Sequence, residues 1–210
     1  MWQIVRAAAL SGRGLHAESA ERYRAALDAI GRDVMAPAQE LSIRVRVLSE
    51  LVEAELWEQA LVESTAAVEL CASGGLTTDE AEQLEARAMI ADELGRVSEK
   101  LTSYRRLVEL YEEIGSRAQR ADARMGLGRA LRSTSEPAAA EVEFGQASDL
   151  YAEIGQTVDA AIAHAERGDA RRRLGDTEGA RSDYAHAADL FERVGDSDMA
   201  HQARARIDAL

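Results

Sequence analysis

The side chains in this sequence that could do chemistry are few and scattered. The histidines are His16, His164, His186 and His201, and none has the partner histidine and glutamate, at helical spacing, that make a zinc site. His164 and His186 fall on different predicted helices, and we expect polar surface or interface roles for them. No segment matches a phosphate-binding loop, since G-x-x-x-x-G-K-[ST] does not occur. The sequence thus predicts no catalytic residue, no metal site and no cofactor.

A glycine-rich segment and a lone cysteine could also suggest chemistry, but structural roles explain both more simply. Residues 11–15 (SGRGL) are rich in glycine but lie between two predicted helices, where they are interpreted as a turn. Cys71 has no second cysteine with which to form a disulfide. It ends an apolar helical run, which favours a small core residue over a reactive thiol.

Charge narrows the classes of partner. The chain has 38 acidic and 25 basic residues and a net charge of −13, which disfavours binding to nucleic acid or to anionic membranes. Its many acidic pairs are typical of solvated helix faces, and aromatic residues, at 4%, are too few to line an active-site cleft. With no signal peptide or membrane-length apolar segment, we expect a non-catalytic protein of the cytoplasm.

The sequence repeats with a fixed period, and this period indicates the helices on which the residues above lie. Glycines recur every 40 residues, each preceded at five residues by a leucine: Gly75, Gly115, Gly155 and Gly195, with Leu70, Leu110, Leu150 and Leu190. A period between 20 and 50 residues is typical of a solenoid, which usually works by presenting a long surface to a partner.

Each period contains two predicted helices and two short turns. One helix runs from about residue 158 to 173 and ends at Gly175, where glycine supplies a left-handed C-cap. Asp176 or Thr177 can then cap the next helix. The segment from Val97 to Ile114 has apolar residues at steps of three and four, and Pro137 fits the first turn of a helix. The sequence predicts five helix pairs and a last helix.

The order of small and aromatic residues in these pairs resembles the tetratricopeptide repeat (TPR). A small residue, an alanine, an aromatic residue and an alanine follow at intervals of 12, 4 and 3: Gly128, Ala140, Phe144 and Ala147, then Gly168, Ala180, Tyr184 and Ala187. The period of 40 is similar to the longer variant in kinesin light chains and in bacterial signalling ATPases and regulators. The resemblance implies an all-α, right-handed solenoid in one domain, residues 1–210. Its repeats are about 1–34, 35–75, 76–115, 116–155 and 156–195, with a last helix at 196–210.

The resemblance also implies where a partner binds, because the first helix of each TPR pair lines a concave groove. The columns through residues 82, 85, 89 and 92, stepped by 40, give the groove positions. The predicted partner-binding residues are Glu82, Glu85, Met89, Asp92, Met125, Arg129, Arg132, Asp169, Arg172 and Arg173. Continued in both directions, the columns also contain Met1, Ile4, Ser42, Val45, Ser49, Val52, Asp122, Ile162, Gln202 and Ala209.

The arginines of these columns allow two interpretations. Arg129, Arg132, Arg172 and Arg173 could receive a carboxylate or an acidic segment of a partner, since the guanidinium group suits two-pronged pairing with carboxylates. The alternative is a ladder of exposed ion pairs within the protein, with Arg129 beside Asp169 and Arg132 beside Asp92.

The resemblance implies a protein- or peptide-binding scaffold. The alternative is a sensor or regulatory segment of a larger signalling or transcription-regulating protein. At the N-terminus, Trp2 is expected to pack into the core against the second helix. Otherwise the apolar end marks a piece of a longer protein, or two copies meet there as a homodimer through the solenoid ends.

Overall fold

A computed structural model describes residues 2–31, 35–134 and 136–210. Within these ranges the chain forms eleven α-helices and no β-strand. They are α1 (Trp2–Ser11), α2 (His16–Ile30), α3 (Pro37–Glu53), α4 (Trp57–Gly74), α5 (Thr77–Glu93), α6 (Val97–Ile114), α7 (Arg117–Arg132), α8 (Pro137–Glu153), α9 (Thr157–Leu174), α10 (Thr177–Arg193) and α11 (Ser197–Asp208). The predicted all-α solenoid of five helix pairs and a last helix is confirmed, while the predicted groove position Met1 lies outside the described residues.

The starts of the helices follow the 40-residue period seen in the sequence. The first helices of successive pairs begin at Pro37, Thr77, Arg117, Thr157 and Ser197, and the second helices at Trp57, Val97, Pro137 and Thr177. Helix α6 has the predicted bounds, and α9 extends one residue beyond the prediction at each end. The Asp176 carboxylate caps α10 as predicted, because it accepts a hydrogen bond from the Gly179 amide at 2.9 Å.

Glycine supplies the backbone conformation that ends the helices. The predicted C-cap residue Gly175 has a φ angle of 80°, and the periodic glycines Gly75, Gly115, Gly155 and Gly195 have φ angles of 67°, 79°, 75° and 81°, all in the left-handed region. Glu55 has a φ of 55° and stands in the repeat column of Gly95 and Gly175. It is the one non-glycine residue with positive φ among the described residues.

The predicted contact between small and aromatic residues forms the core of the later pairs. A Cβ atom added to Gly128 would lie 2.6 Å from the Phe144 ring, and one added to Gly168 would lie 2.7 Å from the Tyr184 ring. Both rings are fully buried, as are the flanking alanines of their columns. The glycines therefore let neighbouring helices approach until an aromatic ring fills the space between them.

Contacts between residues divide the chain into two compact units, Met1–Ser103 and Tyr104–Leu210. In the first unit, Tyr23, Leu27, Val47 and Leu51 form a core to which Ile90 of α5 belongs. In the second unit, the buried rings include those of Tyr111, Phe144, Tyr151, Tyr184 and Phe191, and alanine is the most frequent buried residue. Within each unit, successive helices along the chain pack against each other.

The prediction that Trp2 packs into the core is wrong. Its side chain is 71% exposed, and the Arg6 guanidinium lies 6.0 Å from the centre of its ring. Helix α1 buries Ala7, whose carbonyl accepts a hydrogen bond from Ser19. Five residues separate Trp2 from Ala7, so Trp2 lies about 140° around the helix from the buried side.

No helix in the described part of the chain is both long enough and apolar enough to span a bilayer.

The Gly128→Ala variant should lower the free energy of unfolding by about 1–3 kcal/mol, because the added methyl group overlaps the buried Phe144 ring. Chemical denaturation followed by circular dichroism measures this loss. The control is Gly12→Ala, where a Cβ meets nothing nearer than a carbonyl oxygen at 3.6 Å. If overlap is the cause, Phe144→Leu should lower the free energy of unfolding less in the Gly128→Ala background than in the wild type. Equal losses in the two backgrounds would contradict the explanation.

The Glu55→Gly variant should raise the free energy of unfolding by about 1 kcal/mol, because the left-handed conformation is unfavourable for residues with a Cβ. The melting temperature, measured by differential scanning calorimetry, should rise. Glu69→Gly is the matched control, since Glu69 is exposed in the middle of α4 and the same change there should destabilise the protein by about 1 kcal/mol. A decrease in both variants would contradict this account.

Candidate functional site

The predicted groove columns of the second unit meet in a partly open cavity, here named the α7–α9 cavity. Its volume is about 250 Å³. Helices α7 and α9 provide most of its wall, and α6 and α8 each add a tyrosine ring. The lining residues are Tyr104, Asp122, Met125, Gly126, Arg129, Tyr151, Asp159 and Ile162. The column positions Asp122, Met125, Arg129 and Ile162 are thus brought together.

The column residues of the next two first helices, α9 and α11, line a second cavity, here named the α9–α11 cavity. Its volume is about 360 Å³. Its lining consists of Asp169, Arg172, Tyr184, Arg206 and Ala209. Asp169, Arg172 and Ala209 are column positions. Arg206 and Tyr184 are residues that the columns missed, since one lies beside the column on α11 and the other on a second helix.

The first unit has a corresponding α3–α5 cavity of about 260 Å³. Its lining is largely apolar and includes the column residues Val45, Ser49, Val52 and Met89. Met89 is half exposed although it is a large apolar side chain. The column residues of α3 and Met89 of α5 therefore form a mainly apolar surface in this unit.

The predicted acidic part of the groove lies on α5 but does not line the α3–α5 cavity. Glu82, Glu85 and Asp92 are exposed. The Asp92 carboxylate accepts a hydrogen bond from Lys100 at 2.5 Å. In the second unit, Met125 is buried to 5% exposure, so it forms the floor of its cavity rather than an exposed contact.

The arginines of the columns are already engaged within the second unit. Arg129 and Arg132 both donate to the Glu166 carboxylate, Arg129 at 3.3 Å. The expected partner of Arg129 was Asp169, three residues farther along α9, but Glu166 is the acid that faces both arginines. Arg173 donates to the carbonyl oxygen of Arg132 at 2.7 Å. Arg172 lines the α9–α11 cavity together with Tyr184 and Asp169.

Each cavity of the second unit contains a tyrosine that donates to a carboxylate. The Tyr151 hydroxyl donates to Asp122 at 2.6 Å, and the Tyr184 hydroxyl donates to Asp169 at 2.7 Å. Burial, followed by the neighbouring Asp169 carboxylate, raises the pKa of Tyr184 to about 12. Burial and Asp122 likewise raise the pKa of Tyr151. Both hydroxyls therefore stay protonated at neutral pH and fix the positions of the two carboxylates.

Comparison with known proteins gives similarity of fold only. No family model and no curated protein matches the chain. Nearly identical TPR-like repeats from a putative kinesin light chain of Podosopora anserina superpose with a TM-score of 0.68 and 12% identity, over 92% of this chain and 95% of that one. YrrB, described as a TPR protein with an unusual peptide-binding site, gives a TM-score of 0.64 and 17% identity, over 96% of this chain and 90% of YrrB. The chain has a TPR-like fold.

A third similar structure is a much longer TPR protein. It is a signal-transduction ATPase with numerous domains from Pyrococcus horikoshii, which carries a TPR sensor. The superposition has a TM-score of 0.62 at 12% identity and covers 99% of this chain but only 36% of the ATPase.

In three of the TPR-like pairs, a basic side chain on the first helix faces an acidic side chain on the second helix, 19 residues later. Arg44 lies 2.6 Å from Glu63, Arg124 lies 2.7 Å from Glu143, and His164 lies 3.4 Å from Asp183. The pair α5–α6 has Leu84 and Ser103 in these columns. The sequence analysis missed this pattern. Its signal is that a basic residue and, 19 positions later, an acidic residue recur together at multiples of the 40-residue period.

The last of these pairs is a buried charge cluster between α9 and α10. Asp183 is 2% exposed and accepts hydrogen bonds from Arg167 at 2.5 Å and from Arg171 at 2.9 Å. His164 contacts Asp183, and its ring meets that of His186 with the centres 4.3 Å apart. Burial works to raise the pKa of Asp183, but the bonds from His164 and Arg167 and the nearby arginine charges outweigh it and hold the pKa below its ordinary value.

Among the described residues, no group of three or more His, Cys, Asp or Glu side chains could hold a metal ion. Cys71 is fully buried beside Leu41 and Ala67, as expected of a core residue. Burial, and then the acidic residues of α5, raise the pKa of its thiol to about 11. The thiol is therefore protonated at neutral pH and a poor nucleophile.

Asp183→Asn should lower the free energy of unfolding at pH 7 by about 3 kcal/mol, because Arg167 and Arg171 lose the charge that neutralises them. The folded-state pKa of Asp183 is lowered, so its stabilisation is complete above the ordinary value of 3.8 and is lost as pH falls through the folded value. The stability difference between wild type and variant should therefore shrink only below about pH 4.

Urea denaturation at a series of pH values measures this difference. Asp189→Asn, at an exposed position on the same helix, is the control and should show little difference at any pH. A difference for Asp183→Asn that stays constant through the acid range would contradict the assigned pKa direction.

Proposed function

We propose that this protein is a non-catalytic module that binds a protein or peptide segment along the first helices of its TPR-like pairs. The observation that carries the proposal is the recurrence of cavities between successive first helices within each unit, lined by residues of the same repeat columns. YrrB, a TPR protein of similar fold, has a peptide-binding site, which supports a binding role for this face.

The proposed contact residues are those of the repeat columns on α5, α7 and α9. They are Glu82, Glu85, Met89, Asp92, Met125, Arg129, Arg132, Asp169, Arg172 and Arg173. In the first unit, exposed Met89 beside Val45 and Val52 offers a place for apolar side chains. The net charge of −13 argues against nucleic acid and anionic membranes as direct partners.

In the second unit, the α9–α11 cavity is the part that can receive a carboxylate of the partner. Arg172 and Arg206 contribute two positive charges, and Asp169 contributes one negative charge. The Arg129–Arg132 pair likewise faces the single carboxylate of Glu166. The α9–α11 cavity thus has one positive charge without an acidic counterpart, so an acidic side chain or a chain terminus completes the pairing there.

A second candidate function is that of a sensor segment in a larger signalling or transcription-regulating protein. The observation that favours it is the superposition of 99% of this chain on part of a signal-transduction ATPase with a TPR sensor. The two functions differ in what binding does. A scaffold gains a partner, whereas a sensor passes ligand binding to another domain, so a native gene that encodes such a domain would favour the sensor.

The test is a double charge reversal, Arg132→Glu with Arg172→Glu. Peptides are first selected from a random displayed library on the wild-type chain, and their affinities are then measured by fluorescence anisotropy. We expect the double variant to bind peptides with an acidic residue or a free C-terminal carboxylate at least about tenfold more weakly, because attraction becomes repulsion.

The control for this test is Arg181→Glu with Arg193→Glu, two exposed arginines of α10 that give the same change in charge. It should retain wild-type affinity for the same peptides. Equal loss in both double variants would indicate a general effect of charge, and unchanged binding in both would move the site away from these arginines.

A further inference from the structure

We propose that the α7–α9 cavity receives an arginine side chain of the bound partner, held between its tyrosine rings and its two carboxylates. The inference rests on the proposed peptide binding and assigns one position of the ligand. It gives this cavity the opposite preference to that of the neighbouring α9–α11 cavity, which is rich in arginine.

The size of the cavity suits one side chain. Its volume of about 250 Å³ lies below the roughly 300–1,000 Å³ of pockets that bind small molecules. Met125 and Ile162 provide apolar walls along which the methylene stem of an arginine can lie. Gly126 leaves room for the Tyr104 ring, since a Cβ atom at that position would overlap it.

The carboxylates of the cavity have unused capacity to accept hydrogen bonds. Asp122 accepts one from the Tyr151 hydroxyl, and a carboxylate can accept about four. Asp159 is half-buried, and no side chain in the described part of the chain donates to it or forms an ion pair with it. Both negative charges act on the Tyr151 hydroxyl and contribute to its raised pKa, which indicates that they face the same space.

The positive charge that lines the cavity offsets these acids only in part, although the charge of Arg129 also acts on the Tyr151 hydroxyl. Arg129 is the cationic member of the lining, and its Nε donates to Glu166 at 3.3 Å. Glu166 also binds Arg132, so this group lies beside the cavity with its own acid. Asp122, Asp159 and Glu166 carry three negative charges against the two positive charges of Arg129 and Arg132. One negative charge therefore remains for a cation from outside, and the net charge of −13 attracts one.

The α9–α11 cavity shows how the protein holds a guanidinium group with the same types of side chain. There the Tyr184 hydroxyl donates to Asp169, and Arg206 donates to the same carboxylate at 3.1 Å. The Arg206 guanidinium also lies 5.9 Å from the centre of the Tyr184 ring, within range of a cation–π contact. The α7–α9 cavity has the tyrosine–aspartate pair, a second tyrosine and a second aspartate, and no arginine in this role.

The test titrates the full chain with Nα-acetyl-arginine amide and follows the backbone amide signals by NMR. Its control ligand is the citrulline analogue, which has a similar shape without the charge. We expect the arginine probe to shift the amide signals of Gly126 and Asp159, with a Kd on the order of 1–10 mM, as befits a single side chain. The citrulline probe should leave these signals in place.

The variant is Asp159→Asn, which keeps the shape of the side chain and removes one charge. It should weaken arginine binding about fivefold, the loss expected for one partly exposed ion pair. Asp149→Asn, at an exposed position on α8, is the matched control and should bind as the wild type does. Unperturbed signals elsewhere in each spectrum verify that both variants are folded.

The peptides selected on the wild-type chain give the second readout. Replacing a critical arginine by citrulline should weaken a peptide on the wild-type chain but have little further effect on Asp159→Asn. Loss of arginine-probe binding in both variants alike, or in neither, would overturn the inference, even if the peptides bind. A failure to select any peptide would count against the proposed function alone, because the arginine probe is scored separately.

Discussion

Close approach of neighbouring helices is the constraint on which the rest of the structure depends. In the second unit, Gly128 and Gly168 bring backbone against the buried rings of Phe144 and Tyr184, with no room for a Cβ atom. Helices at this distance leave a shallow surface between successive first helices, and cavities the size of one side chain form there. The ring of Tyr184 on α10 packs against α9 in the core, and its hydroxyl donates a hydrogen bond to Asp169 on α9, which lines the α9–α11 cavity. One residue therefore serves both the core and the cavity.

The polar side chains of the second unit form two different electrostatic environments on one face. The α7–α9 cavity has Asp122 and Asp159 in its lining, with Arg129 turned to Glu166. One step along the same columns, the α9–α11 cavity has two arginines against one aspartate. A ligand that followed this face would meet a preference for positive charge and then for negative charge. A repeated backbone thus presents different charges at successive steps along one face, because the repeats differ in charge although they agree in shape.

The sequence predicted those features that repeat and missed those that depend on side-chain placement. The 40-residue period gave the helix starts, the C-cap glycines and the buried small–aromatic contacts, because each is determined by backbone geometry. It also placed Asp122, Met125 and Ile162 on one surface.

The period did not predict Glu166 as the partner of the arginines, since several acids on α9 lie within reach of them. Tyr104 and Tyr151 come from second helices, which a column drawn along the first helices cannot include. Trp2 was expected in the core from its residue type, although its position around α1 turns it outward.

The charge pairs between first and second helices also bear on how a repetitive chain avoids folding incorrectly. Helices of similar length and shape can dock on the wrong neighbour, a characteristic failure of repeat proteins. Here the residues in the two columns differ: Arg44 contacts Glu63, His164 contacts Asp183, and the pair α5–α6 has Leu84 and Ser103 at these positions. A misdocked pair that set Leu84 in place of Arg44 would remove the guanidinium group that lies 2.6 Å from the buried Glu63 carboxylate, and loss of one partner of a buried ion pair costs several kcal/mol. The differences between these polar columns therefore favour the native pairing of helices over pairing with the wrong neighbour.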